Sequence, residues 1–195
     1  MSKYYHGVRV IEEGEAAART ITGTAGMQVI VGTAPVNLTD NPEAAVNVPI
    51  LCNSMEEAVK KLGYSTEFES YTLCQSMYAS FTMFGFAPVV FINVLDPAKH
   101  KKDHAEKEYG IMNNQIRVDD VTGVLKSSVV VKNAETVLEV EKDYILSFDE
   151  NGYLLITLIS DVANGVQSLK VTTTSLDPSA VTEADIIGGY DAESG

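Results

Sequence analysis

The sequence predicts an α+β protein with an extended N-terminal arm, a partial α/β core and an inserted antiparallel β sandwich or barrel. Over residues 27–98, continuous apolar runs alternate with segments of helical periodicity. From about residue 110 to 175, short strand candidates occur at close spacing. Glycines interrupt the β-prone opening segment. We therefore expect an arm over residues 1–26, a core formed by 27–98 plus 178–195, and an inserted β-rich domain over 99–177.

Composition and charge restrict the classes of function. The 195 residues carry 14 basic and 27 acidic side chains, a net charge of −13, and 45% are hydrophobic. A globular surface this acidic is repelled by phosphate backbones, so we expect no nucleic-acid partner. No apolar run approaches the ~18 residues that a membrane helix requires, and the opening residues lack a signal peptide's apolar segment. We expect a soluble protein made in a cytoplasm, with Cys52 and Cys74 as buried, reduced thiols.

The core elements have local signatures. The apolar run Met27–Gly32 is typical of a strand buried on both faces, as is Val89–Leu95. Between them, Ser54 and Glu57 form a capping-box pattern that begins a helix, and a second helix ends near Gly85. The predicted apolar face of the second helix consists of Leu73, Cys74, Met77, Tyr78, Phe81 and Phe84. This order predicts a βαβ unit with parallel strands.

The inserted domain is predicted from a change of pattern. Residues 96–108 are rich in Lys, Asp and His and predict a charged linker. Asp149–Gly152 predicts a tight hairpin turn, with Gly152 in the left-handed conformation. The strand candidates are Gln115–Val118, Val129–Val131, Val137–Val140, Tyr144–Phe148, Tyr153–Leu158 and Leu169–Thr172.

A search for catalytic chemistry favours a protein that is not an enzyme. The sequence contains no GxSxG, Walker, HExxH or GxGxxG motif, and we expect no catalytic residue, cofactor or metal site. Gly32 and Thr33 follow a strand where α/β folds often bind phosphate, but no helix is predicted to begin there. His100 and His104 are four residues apart, yet the neighbouring lysines favour a solvated linker over zinc.

The opening segment has β character but no obvious local partner. An unpaired strand of this kind must find a sheet edge, either in its own fold or on another chain. The candidate subunit-linking residues are Tyr4, Tyr5, His6, Gly7, Val8, Arg9, Val10 and Ile11.

Several segments occur in an order that is more informative than any one of them. They are Tyr5–Glu12 with Thr20–Thr24, Val29–Asn37, Pro49–Cys52 with Glu57–Val59 and Leu62–Tyr64, Ala87–Ala98, and Val181–Gly189. This ordered set resembles contractile tail sheath proteins of P2-like myophages and of tailocin-type bacteriocins. The family pattern continues into a larger C-terminal α/β domain and a second arm, so we expect this sequence to correspond to the N-terminal portion.

The resemblance implies a structural subunit that polymerises around an inner tube and contracts to drive it through the host envelope. It implies neighbouring sheath subunits, linked by strand addition, as partners, together with the inner tail tube, baseplate and tail terminator proteins. It also implies a virion tail or tailocin particle as the location, after assembly in the bacterial cytoplasm. The inserted domain is then expected on the outside of the cylinder, where the negative charge can reside.

Two other interpretations remain at this point. One is a fragment of an α/β enzyme that binds a small anionic ligand near Gly32-Thr33. The other is a recognition module whose inserted domain exposes an aromatic patch, with Tyr144 and Tyr153 as candidates, although their alternation favours a core position for both.

Overall fold

The computed structural model of this protein describes residues 26–161 and 165–187. It mixes helices with three small sheets, so the predicted α+β class is confirmed in outline. The strands are β1 Gln28–Gly32, β2 Ile50–Cys52, β3 Val89–Asn93, β4 Lys101–Gly110, β5 Gln115–Thr122, β6 Val130–Asn133, β7 Thr136–Val137, β8 Tyr144–Phe148, β9 Tyr153–Leu158 and β10 Ser168–Leu176. The helices are α1 Met55–Leu62, α2 Thr72–Met77, a π-helical segment Tyr78–Met83 and α3 Glu183–Ile187.

The first sheet has the strand order β1-β3-β2. β1 and β3 run parallel and in register from the Gln28–Val89 pair to the Gly32–Asn93 pair, as the βαβ prediction requires. β2 adds to the other side of β3 in the antiparallel direction. β2 is not evident as a strand in the sequence, because its three residues are too few to establish an alternating pattern.

The helices α1 and α2 cover one face of this sheet. Their buried side chains share a core with Val89 and Phe91 of β3, and Ile30 of β1 packs against that core. The opposite face carries the exposed side chains of Val29 and Val31. The prediction that Met27–Gly32 is buried on both faces is therefore wrong among the described residues, because no described helix lies on the second face.

The start and end of α1 follow the prediction. The Ser54 side chain accepts a hydrogen bond from the Glu57 amide, and Gly63 at the other end has a φ of 76°. Glu57 in turn accepts hydrogen bonds from the Asn53 amide and from Lys61, which lies one turn later. These contacts, with the Lys61 hydrogen bond foremost, lower the pKa of Glu57 from 4.5 to about 2.

The second helix changes its period after one and a half turns. α2 buries Leu73, Cys74 and Met77 as predicted, and the π-helical segment then continues the rod. A π turn contains extra residues and rotates the side chains that follow it away from the 3.6-residue spacing. Phe84, predicted on the apolar face, is consequently 76% exposed, whereas Phe81 still packs edge-on against Phe91 at 6.0 Å between ring centroids.

The predicted charged linker is wrong for most of its length, because residues 101–110 form the long strand β4. β4 pairs with β10 over most of its residues and lies at the edge of its sheet. Its side chains are mostly exposed on both faces, so the strand has no apolar alternation that a sequence pattern could detect. The charges instead form ion pairs with other strands, such as Lys170–Glu106 at 3.2 Å between the paired strands β10 and β4, and Lys107–Asp120 at 2.7 Å between β4 and β5.

Residues 101–176 form two sheets, with strand orders β4-β10-β6-β7 and β5-β9-β8. Ile116 and Ile156 from one sheet share a core with Val131 and Leu169 from the other. The two described sheets do not close into a barrel. The predicted hairpin connects β8 to β9, and Gly152 has a φ of 81°.

Two glycines with positive φ provide a test of the fold. Gly63 has a φ of 76°, and an added Cβ would collide with the Pro35 carbonyl, whereas a Cβ on Gly85, with a φ of 58°, meets open space. We expect Gly85→Ala to lower the free energy of unfolding by about 1 kcal/mol, from backbone strain alone, and Gly63→Ala to lower it by at least about 2 kcal/mol. Urea denaturation measures both; equal losses would contradict the role of the Pro35 contact.

Candidate assembly surface

The predicted subunit-linking segment Tyr4–Ile11 lies outside the described residues. The described part of the chain does, however, include the strand that directly follows the predicted arm, and this strand has two features of a contact surface. One is the exposed side of the first sheet, and the other is the outer edge of β1.

The exposed side of the first sheet is apolar across all three strands. The register aligns Val29 with Val90 and Val31 with Ile92, and Leu51 of β2 lies opposite Val90 from the other side. Val29, Val31 and Leu51 are 55%, 41% and 42% exposed. We call this the bare face. The burial that the Met27–Gly32 run predicts is therefore missing from one side in the described residues. The same prediction for Val89–Leu95 is confirmed, because Val90 on this face is only 9% exposed and Ile92 is half-buried.

The outer edge of β1 has no neighbouring strand among the described residues. β1 pairs with β3 and with no other described strand, so its second row of backbone groups is open. Its sequence Gln28–Gly32 contains no charge and no proline, which are the features that normally block edge-to-edge pairing. An edge of this type is suited to strand addition.

The turn after β1, considered above as an anion site, is closed by the protein's own side chains. The Thr33 amide donates to Thr72 Oγ1 at 3.1 Å, and the Thr33 hydroxyl donates to the Ser70 carbonyl at 2.8 Å. The Ala34 amide donates to Asn93 Oδ1 at 3.0 Å. Both amides that a phosphate would need are thus occupied, and the short helical turn that follows begins only at Val36.

Asn93 connects the carboxyl ends of the two parallel strands. Its fully buried side chain accepts hydrogen bonds from the amides of Ala34 and Leu95 and donates to the Leu95 carbonyl at 3.0 Å. The role of Asn93 is not evident from the sequence alone. The feature that could have indicated it is a polar residue at the end of an otherwise apolar strand.

The two histidines have separate structural roles. His100 is buried, and its Nδ1 accepts a hydrogen bond from the Asp96 amide at 3.0 Å, so the ring proton lies on Nε2, which is 3.5 Å from the Asp185 carboxylate. His104 Nε2 lies 2.9 Å from the Ser175 hydroxyl across the β4–β10 pair. The prediction of a solvated linker is therefore wrong for both. Within residues 26–161 and 165–187, no group of three His, Cys, Asp or Glu side chains is arranged to hold a metal ion.

The thiols and tyrosines also belong to the structure. Cys52 and Cys74 are buried and free, as predicted, and burial raises the pKa of each thiol to about 11, so neither is a ready nucleophile. Tyr144 is in the core of the β sheets, as its alternation favoured. Tyr153 is half-buried, with the Arg117 guanidinium 4.4 Å from its ring centroid. Helices long and apolar enough to cross a membrane do not occur in the described part of the chain.

The described surface thus has features of a protein that binds other protein chains. Comparison with known proteins identifies a relative, the tail sheath protein of Burkholderia phage BcepMu, which is 29% identical over 200 aligned residues. The alignment covers 98% of this chain and 38% of the relative, so the chain spans about two-fifths of that protein's length. No family model matches the sequence, and no solved structure matches it.

This relationship confirms the predicted resemblance to phage tail sheath proteins. It extends over nearly the whole chain, including the segments outside the described residues. A tail sheath relative implies a structural, non-enzymatic protein, in agreement with the sequence analysis.

Substitution of Asn93 tests its role at the strand ends. Asn93→Ala leaves two amides and one carbonyl without their partner in a fully buried position, so we expect the free energy of unfolding to fall by roughly 3 kcal/mol. Asn41→Ala is the matched control, because Asn41 is exposed and its side chain makes no capping hydrogen bond. A loss at Asn93 no larger than the loss at Asn41, measured by urea denaturation, would refute the assignment.

Proposed function

We propose that this chain is a structural subunit of a contractile tail sheath, which polymerises around an inner tube and contracts to drive that tube through the host envelope. The observation that carries the proposal is the relationship to a phage tail sheath protein over 98% of the chain. The bare face and the open edge of β1 support it independently, because both favour contact with another chain.

In this proposal, neighbouring subunits are linked by their N-terminal arms. The segment Tyr4–Ile11 leaves one subunit and adds a strand to a sheet of the next, so that backbone hydrogen bonds hold the subunits while their folded parts move. A head-to-tail contact of this kind joins two different surfaces and generates a helical polymer instead of a closed dimer.

The other partners follow from the same proposal. They are the inner tail tube protein, the baseplate and the tail terminator, and the particle is a phage tail or a tailocin assembled in the bacterial cytoplasm. The domain proposed over residues 99–177 lies on the outside of the cylinder and carries part of the net charge of −13. The alternative, an α/β enzyme fragment with an anion site near Gly32-Thr33, is disfavoured because the amides of that turn are already occupied.

Deletion of the arm tests strand donation. We expect the purified protein to form ordered tubes or rings in electron micrographs, and a variant lacking residues 1–20 to remain folded and monomeric. Circular dichroism and analytical ultracentrifugation monitor the fold and the mass. A protein that stays monomeric with its arm intact counts strongly against the sheath role. Undiminished polymerisation without the arm counts against strand donation alone.

A charge on the bare face tests whether that face is a contact surface. Val29 and Val137 are both valines in strands and are 55% and 56% exposed, but Val137 lies in β7, away from the first sheet. We expect Val29→Glu to reduce the polymerised fraction about tenfold, because a buried, unpaired carboxylate is costly at an apolar contact, and Val137→Glu to leave it unchanged.

The same two variants need a stability control. Since both positions are exposed in the single chain, we expect the free energy of unfolding of each variant, measured by thermal unfolding, to differ from that of the parent by less than about 1 kcal/mol. Sedimentation then measures the polymerised fraction. Equal polymerisation of the two variants would exclude the bare face from the assembly contact.

A further inference from the structure

The first sheet with its helices is called the first unit, and the two sheets over residues 101–176 are called the β unit. A cavity of about 570 Å³ lies where the first unit meets the hairpin end of the β unit. One wall includes Asn37, Glu67 and Tyr71, and the other includes Glu150 and Tyr153. The two walls come from segments about eighty positions apart in the sequence. The cavity is distinct from the bare face and from the edge of β1.

The lining of this cavity is acidic and contains no lysine, arginine or histidine. Asp149 also lines it, but its carboxylate is already used: one oxygen accepts the amides of Asn151 and Tyr153, and the other accepts the Arg117 side chain at 2.9 Å. The carboxylates of Glu67 and Glu150, by contrast, form no hydrogen bond or ion pair with any described residue. Both residues are exposed and line the same cavity, so two carboxylates without a cationic partner among the described residues border it.

One buried polar atom at the same cavity lacks a partner. Asn37 is 3% exposed, and its Oδ1 has no hydrogen-bond partner among the described residues, while its Nδ2 donates to the Val124 carbonyl at 3.4 Å. Tyr71 is 4% exposed and also lines the cavity, and burial raises the pKa of its hydroxyl above the ordinary value, so this group stays neutral and can accept a hydrogen bond. Buried polar atoms are normally satisfied, so Asn37 Oδ1 indicates that the cavity has an occupant.

An existing contact beside the cavity indicates which chemical group the cavity can bind. Arg117 bonds to Asp149 through Nε and through its terminal nitrogen, and its guanidinium lies 4.4 Å from the centroid of the Tyr153 ring. A carboxylate with a tyrosine face is a favourable site for a guanidinium, which donates in a plane and stacks on aromatic rings. Glu67 and Glu150 with Tyr71 provide the same combination of groups inside the cavity.

We infer that this cavity binds the guanidinium of Arg9 from a second copy of the chain. The sequence contains three arginines, Arg9, Arg19 and Arg117, and the last is already bound to Asp149. Of the other two, Arg9 lies within the predicted linking segment Tyr4–Ile11. The inference rests on the proposed function, and it specifies where the donated arm is held on the receiving subunit.

A charge exchange tests the assignment in the full chain. We expect Glu67→Arg and Arg9→Glu each to raise the critical concentration for polymerisation about tenfold, and the double variant to recover most of that loss, because the pair is restored with its signs reversed. Glu69→Arg is the matched control: this residue is exposed, is two positions from Glu67 and does not line the cavity. It should neither raise the critical concentration nor rescue Arg9→Glu.

A binding experiment separates this inference from the sheath proposal. A peptide of residues 1–12 is titrated into the full chain carrying Arg9→Ala, and amide NMR shifts around Glu67 and Glu150 are followed. We expect saturable shifts that are lost with an Arg9→Ala peptide and with a Glu67→Gln, Glu150→Gln receptor.

The inference would be overturned if the amide shifts persist with the Arg9→Ala peptide. It would also be overturned if calcium alone produces the shifts around Glu67 and Glu150. Normal polymerisation of Glu67→Arg would overturn it too and leave the sheath role intact. Failure of the parent protein to polymerise would refute the sheath role, and the peptide titration would still decide the cavity.

Discussion

The parallel pairing of β1 with β3 is the constraint on which the first unit depends. Parallel neighbours require a connection that leaves the sheet, and in this chain α1 and α2 lie within that connection and cover one face. The side chain of Asn93 joins the two strand ends and closes the turn after β1. With one face covered and the turn closed, the apolar side chains of the sheet that stay exposed in the described residues lie on the other face, at Val29, Val31 and Leu51. The surface proposed for assembly is thus a direct result of how the sheet is connected.

Features set by adjacent residues were predictable from the sequence. The Ser54 cap, the Gly152 hairpin and the core position of Tyr144 each depend on a few neighbouring positions, and all occur as predicted. β4 was missed for the opposite reason. Its strand state depends on pairing with β10, some seventy positions later, while its own charged side chains have no apolar period. Phe84 was misplaced because a π turn shifts the helical period.

The two candidate sites also differ in how much of each is evident from the sequence. The continuous apolar run of β1 was visible in the sequence, but whether one or both faces are covered depends on what packs there. The cavity was not visible, because Glu67 and Glu150 come together only when the hairpin end of the β unit approaches the first unit. The informative feature is a buried polar atom, Asn37 Oδ1, whose lack of a hydrogen-bond partner among the described residues is visible only in three dimensions.

The β4–β10 pair has a consequence for how the chain can change over time. Lys101 and Leu176 are paired across it, and the Asp177 amide donates to the His100 carbonyl at 2.8 Å, so the chain leaves and re-enters the first unit at almost the same point. Most of the segment between these residues therefore lies outside the core of the first unit. Its sequence can lengthen, shorten or be exchanged with little disturbance to the strands that precede and follow it, except at residues that contact the first unit, such as Leu125 in its core and the hairpin residues that line the cavity. In the proposed sheath, this arrangement would let the outer surface change in sequence while the framework formed by the first unit stays the same.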